Sequence, residues 1–152
     1  MNAPDKHLGP AELTRLLQVE FPQSFATEGA MMIEEAVPMR ARVRLPFHDR
    51  HLRPGGTIAG PAMFGLADCA LYIAVLATLG WVPMAVTTNL TINFMSKPQP
   101  GDIVGDCRLL KLGKKLAVGE VYIHSAGRDD AVAHAVGTYS IPPRQLMSVD
   151  RG

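Results

Sequence analysis

From residue 39 to residue 47 the chain alternates Met39, Ala41, Val43, Leu45 and Phe47 with Arg40, Arg42 and Arg44. A period of two with one charged side predicts a strand buried on one face. Residues 31–37 read as a second strand. Upstream, Leu13, Leu16 and Leu17 share one face of a helix over 10–20, with Pro10 in its first turn and Phe21-Pro22 ending it. Residues 48–60 are a loop by composition. A long apolar helix follows over 61–79. Gly60 suits its cap, Pro61 its first position and Gly80 its stop. At 1.5 Å per residue it runs about 28 Å. Ala62, Gly65, Ala67, Ala70, Ala74 and Ala77 let a sheet or helix approach it closely.

Four strands follow. In the first, Val86, Thr88, Leu90, Ile92 and Phe94 alternate with Thr87, Asn89, Thr91, Asn93 and Met95. Residues 102–112 and 115–125 flank a hairpin turn at Gly113-Lys114. Residues 131–141 form the last strand, which Pro142-Pro143 end, and a loose tail is expected to Gly152. The order is helix, two strands, long helix, four strands. That is α+β, and a central helix this apolar needs cover on all sides.

The 152 residues make a single domain, with its core over about 30–141. A formal net charge of +1 offers no basic field for nucleic acid. Cys69 and Cys107 lie far apart, without metal-ligand spacing, and read as buried free thiols. The first ten residues lack the apolar run of a signal peptide, so the cytoplasm is expected. The 61–79 helix is short and alanine-rich for a bilayer and carries Asp68 near its middle. A carboxylate there costs about 2.5–3.5 kcal/mol, so no membrane is expected.

Asp68 is the sharpest candidate for chemistry. It is the only charged residue between Arg53 and Lys97, and its helical neighbours Phe64, Gly65, Leu71 and Tyr72 carry no charge. A lone helical aspartate can also face a solvent stripe or bond a backbone amide. Buried carboxylates, however, are rare unless paired or functional. The loop Gly55-Gly56-Thr57-Ile58-Ala59-Gly60 leads into the helix N-terminus, where free N–H groups and the helix dipole favour developing negative charge. A carbonyl oxygen bound there is polarised. Asp68, two turns deeper, then acts on the carbonyl carbon directly or through water.

Residues 56–68, GTIAGPAMFGLAD, resemble the PaaI-like hotdog thioesterase motif G-x-x-H-G-G-x-x-x-x-L-x-D. Gly56, Gly60, Leu66 and Asp68 fall in register, and residues 87–98, TTNLTINFMSKP, are similar to the family's next strand. The resemblance implies a hotdog fold: a sheet wrapped round the central helix, in subunits that pair to form active sites. It implies Asp68 as general base or nucleophile and the Gly60 N–H as carbonyl polariser. It also implies a hydroxyl on the following strand of the partner subunit that holds the water, and Thr87 falls at that position. Two departures stand out. The family's histidine, which binds and orients the thioester, falls on Ala59, with its second glycine on Pro61. The upstream asparagine falls on Arg53, which, pointing inward, would pair with Asp68 and lower its pKa.

The expected activity is hydrolysis of acyl-CoA or a related thioester, with coenzyme A as part of the substrate and no separate cofactor or metal. Arg53, Gly56, Ala59, Lys97, Lys114 and Lys115 are the candidate substrate contacts, the lysines through coenzyme A phosphates. The expected assembly is a homodimer or dimer of dimers. A non-catalytic acyl-CoA binder on the same fold is the alternative that Ala59 and Arg53 keep open. A dehydratase would want a histidine beside the carboxylate. A DNA-binding regulator would need an added helix-turn-helix domain. His48 and His51 lack a third metal ligand in sequence, and His124 and His134 are expected to face solvent.

Overall fold

The computed structural model describes residues 7–143. The tail expected to be loose lies almost wholly outside the described residues. Helix α1 spans Pro10–Glu20, and a single turn, α2, spans Pro22–Phe25. Strands β1 (Met32–Val37) and β2 (Arg40–Leu45) form a hairpin. A 3-10 turn at Asp49–His51 leads to the central helix α3 (Gly60–Leu79). Strands β3 (Val86–Phe94), β4 (Ile103–Leu112), β5 (Leu116–Ser125) and β6 (Ala131–Ser140) complete one antiparallel sheet, ordered β1-β2-β4-β5-β6-β3. This is the hotdog architecture, a sheet curled round one helix. The element bounds agree with the sequence pattern to within about two residues. The short helical turns at 22–25 and 49–51 carry too little periodicity to be read in advance.

The alternating strand behaves as its pattern requires. Ala41, Val43 and Leu45 are buried under α3, while Arg42 meets Asp106 at 2.8 Å and Arg44 meets Asp102 at 3.0 Å on the outer face. Exposed pairs of this kind add little stability. The apolar core does the larger share: Leu66, Ala67, Ala70, Ile73, Ala74 and Leu76 of α3 are 0% exposed. By composition α3 would pass for a membrane span, but here it is the core helix of the sheet. Gly80 ends it with φ 94°, and its N–H reaches the Leu76 carbonyl at 2.9 Å.

Glycines set how close α3 lies. Gly119 and Gly137 sit directly opposite each other on β5 and β6. A Cβ on Gly119 would stand 2.6 Å from Leu71 Cδ2, and one on Gly137 would stand 2.7 Å from Leu71 Cδ1 and 2.5 Å from Leu90 Cδ1. Leu71 therefore plugs a dimple that only paired glycines can make.

One register detail departs from the sequence pattern. The pairing of β3 with β6 runs Thr87↔Tyr139 and then Asn89↔Thr138, so Thr88 is an extra residue, a β-bulge. Strict alternation puts Thr87 on the face opposite Leu90 and Ile92. The bulge shifts the phase, and Thr87 joins Leu90 and Ile92 on the side facing α3.

Candidate active site

Asp68 lies on the least covered stripe of α3, in line with Phe64, Gly65 and Tyr72. It is half-buried there, and its partners are side-chain hydroxyls rather than a backbone amide. The Thr87 hydroxyl donates to Asp68 Oδ1 at 2.6 Å. The Tyr139 hydroxyl points between Asp68 Oδ1, at 2.9 Å, and the Asp68 carbonyl, at 3.1 Å. Thr87 and Tyr139 are cross-strand partners, so one rung of the sheet delivers both hydroxyls. Charge-assisted bonds to one oxygen fix the plane of the carboxylate. Among the described residues Oδ2 has no hydrogen-bond partner, and its lone pairs remain for a water or an electrophile. The contact with Thr87 is made within one chain, which corrects the expectation that this hydroxyl comes from the partner subunit.

Tyr139 was not singled out in the sequence, although a signal exists. Core-facing positions of β6 run Ala133, Ala135, Gly137, Tyr139, and a tyrosine ending such a row needs a polar partner for its hydroxyl. Burial, and then the nearby Asp68 charge, push the Tyr139 pKa well above its ordinary value. It therefore stays a donor at neutral pH.

The second candidate lies at the entry to α3. Ala59 is the N-cap and Gly60 the first helical residue, so the helix begins one residue earlier than expected. Ala62 and Met63 donate to the Ala59 carbonyl, Pro61 has no N–H, and the Gly60 N–H is left without an acceptor among the described residues. The loop is pinned beneath it. Ala59 N–H donates to the His51 carbonyl at 2.7 Å and Ile58 N–H to the Pro98 carbonyl at 3.0 Å. Gly55 and Gly56, at φ 102° and 85°, make the turn that brings the Arg53 N–H to Thr57 O. A Cβ on Gly60 would meet Phe94 Cζ at 3.3 Å, so this end of β3 rests against the helix start.

Several expectations need correction. Arg53 does not pair with Asp68; it is exposed, and its Nη1 donates to the adjacent Pro54 carbonyl at 2.9 Å. Gly60 and Asp68 of one chain stand eight residues apart on a helix, roughly 12 Å. A carbonyl bound at Gly60 places its carbon about 4 Å away, and attack needs a further 3–3.5 Å. Direct attack by Asp68 on a carbonyl held at its own chain's Gly60 therefore falls short of that span. The three lysines do not form one patch either. Lys97 lies near the start of β6 and Lys115 near its end, separated by about ten residues of strand, or roughly 30 Å. All three, like Gly56, are exposed.

Histidine placement also differs from expectation. His124 bonds Asp106 at 2.9 Å and His134 bonds Glu120 at 3.0 Å, both partly buried on the outer face of the sheet. His51 lines a cavity of about 410 Å³ with Ala59, Ala62 and Gly65. Burial, and then the charges of Arg50 and His48, lower its pKa, which keeps the ring neutral. Cys69 beside Asp68 is no nucleophile: burial pushes its thiol up to about 12. Cys107, also buried and free, is likewise pushed up to about 12.

The sequence profile described as the thioesterase superfamily matches residues 55–132, which run from the glycine turn through α3 to the start of β6. The chain belongs to the thioesterase superfamily. A candidate thioesterase from Silicibacter sp. TM1040 is 44% identical and superposes with a TM-score of 0.81, over 91% of this chain and 95% of that one. A candidate esterase from Saccharolobus solfataricus is 31% identical over 101 residues, 66% of this chain and 66% of the relative. This superfamily chain thus spans about two thirds of the length of that relative. The phenylacetic acid degradation protein PaaI from Thermus thermophilus superposes with a TM-score of 0.67 at 22% identity, covering 76% of this chain and 96% of that one, which shows a shared fold. The matched stretch holds Gly60, Asp68 and Thr87, whereas Tyr139 and α1 lie outside it.

Proposed function

We propose that this superfamily member hydrolyses acyl-CoA thioesters, in sites that two copies of the chain build together. The observation that carries this reading is the Asp68 carboxylate, with Oδ1 held by two hydroxyls and Oδ2 open. Oδ2 takes a proton from the attacking water, or attacks the thioester carbon itself. The developing oxyanion sits at the unpaired Gly60 N–H on the positive end of α3. On the water route coenzyme A leaves as the thiol, with the proton returned from Asp68. On the nucleophilic route it leaves as the thiolate and takes its proton from solvent, and water then cleaves the acyl–Asp68 anhydride to free the acid.

The geometry supports two copies. Strand β3 is the last in the sheet, reads VTTNLTINF without a charge or proline, and leaves Val86 and Phe94 more than half exposed. An edge this unprotected invites another strand. Antiparallel pairing of two β3 strands centred near Leu90 and Thr91 brings Thr87 opposite Phe94 of the partner subunit, whose ring rests against its own Gly60. The Asp68 of one copy then meets the Gly60 N–H of the other. Thr91 is exposed on this edge, near the proposed two-fold. Thr91→Asp sets like charges face to face there. It is expected to convert the dimer to a monomer in sedimentation velocity and to lower turnover in parallel. A wild-type chain that sediments as a monomer at micromolar concentration overturns the two-copy site.

Exposed cations, Arg53 first among them, are available to the coenzyme A phosphates. A second reading, acyl-CoA binding without turnover, is favoured by Ala59, whose side chain gives the thioester no hydrogen bond. A panel of acyl-CoAs assayed by release of the free thiol separates the two readings. Turnover that needs Asp68 supports hydrolysis. Tight binding without turnover on any member of the panel supports the binder. Localisation in the cytoplasm, without membrane or nucleic-acid partners, belongs to the same proposal.

A further inference from the structure

We infer that the cleft between α1 and the start of β3 is the acyl pocket of this site. It takes an uncharged apolar acyl group, and Glu20 at its rim selects against acyl groups that end in a carboxylate. The inference rests on the thioester-hydrolysis reading for its substrate class, but its geometry is independent of that reading.

The cleft holds about 530 Å³. That lies within the usual range of small-molecule pockets, about 300–1,000 Å³. Its inner wall includes Thr87 and Tyr139, the same two residues whose hydroxyls hold Asp68 Oδ1. An acyl chain whose thioester carbon meets Asp68 therefore has this cleft directly beyond it. Tyr72, one helical turn past Asp68, continues the wall. Its ring stacks on Tyr139 with centroids 5.9 Å apart and planes 23° apart. Its hydroxyl is occupied by the Pro83 carbonyl at 3.0 Å, so its polar end is already satisfied.

The remaining walls are apolar and open. Leu17 and Phe21 come from the end of α1 and the residue after it, and Met84 and Val86 from the approach to β3. Met84, before the paired edge of β3, is 56% exposed, which leaves apolar surface wet until something covers it. Among the described residues Glu20 is the only formally charged one in the lining, and no cation joins it there. A second carboxylate in the cleft would meet an unbalanced like charge. Leu17, Glu20 and Phe21 also lie outside the stretch matched to the superfamily, residues 55–132, so this wall is supplied by the chain's own N-terminal helix.

The test compares ratios. Hexanoyl-CoA, acetyl-CoA and adipoyl-CoA are offered to the full chain, to Glu20→Lys and to Met84→Trp. In the unsubstituted protein kcat/KM for hexanoyl-CoA is expected to exceed that for adipoyl-CoA at least about tenfold, a penalty of like charges at close range. Glu20→Lys is expected to shrink that ratio about tenfold. Met84→Trp, which fills the cleft, is expected to cut the hexanoyl-to-acetyl ratio by a similar factor. In parallel, affinities of the non-hydrolysable thioethers S-hexyl-CoA and S-(5-carboxypentyl)-CoA are measured against coenzyme A alone. If no thioester is hydrolysed but S-hexyl-CoA binds at least tenfold tighter than coenzyme A, and both variants shift that preference, the pocket stands and the hydrolytic reading falls. If thioesters are hydrolysed and both variants leave the ratios and thioether affinities unchanged, the pocket assignment is overturned. It is overturned equally if S-hexyl-CoA binds no better than coenzyme A.

Discussion

Asp68→Asn is expected to fold as the unsubstituted protein does and to lose at least about a hundredfold in thioester hydrolysis. The amide oxygen of asparagine accepts the same two bonds from Thr87 and Tyr139 that Asp68 Oδ1 accepts. The substitution removes the negative charge and the basic oxygen while leaving the local packing in place. General-base catalysis contributes about 10²–10⁴ in rate, and a hundredfold is its low end. If Oδ2 is instead the nucleophile, the loss is larger. The measurement is kcat on the best acyl-CoA, with a thermal melt alongside. A melt within a few degrees together with collapsed kcat supports the assignment. Wild-type turnover in the variant removes Asp68 from the chemistry.

Gly137→Val is expected to lower stability by about 3 kcal/mol, the upper part of the usual range for overpacking a core. A Cβ at Gly137 would lie 2.5 Å from Leu90 Cδ1, 2.7 Å from Leu71 Cδ1 and 3.2 Å from the Asn89 carbonyl oxygen. The two leucines can turn in part; the carbonyl belongs to the pairing of β3 with β6 and cannot. For a chain of this size each kcal/mol shifts Tm by roughly 2–4 °C, so the melt should fall by about 6–12 °C. Gly137 lies two residues from Tyr139, and Asn89 is two from Thr87. The strain therefore enters the rung that holds Asp68, and turnover should drop even below the melting range. An unchanged melt would mean that α3 lies farther from the sheet than the glycine pair implies.

The two predictions divide along a line that runs through the whole molecule. The strands and helices were legible because each is a local pattern. Arg40, Arg42 and Arg44 can point only away from a core that holds Ala41, Val43 and Leu45. Leu66, Ile73 and Leu76 cannot be left in water, so α3 had to be covered. Asp68 stood out for the same reason, as one charge in a long neutral stretch, and the Gly60 helix entry followed from glycine and proline chemistry.

What the sequence by itself determined, then, is which segments form, which faces go inward and that a carboxylate lies on the central helix. The tertiary structure alone decided what surrounds that carboxylate. Thr87 reaches Asp68 because a bulge at Thr88 shifts the alternation, and a bulge belongs to the pairing of two strands rather than to one strand's pattern. Tyr139 arrives from 71 positions away, since β3 pairs with β6 and not with its neighbour in sequence. Arg53 turns to its own loop, and Lys97 and Lys115 fall at opposite ends of β6, for the same cause. Local preference sets where a side chain starts. Pairing between distant segments, which no local window contains, sets what it touches.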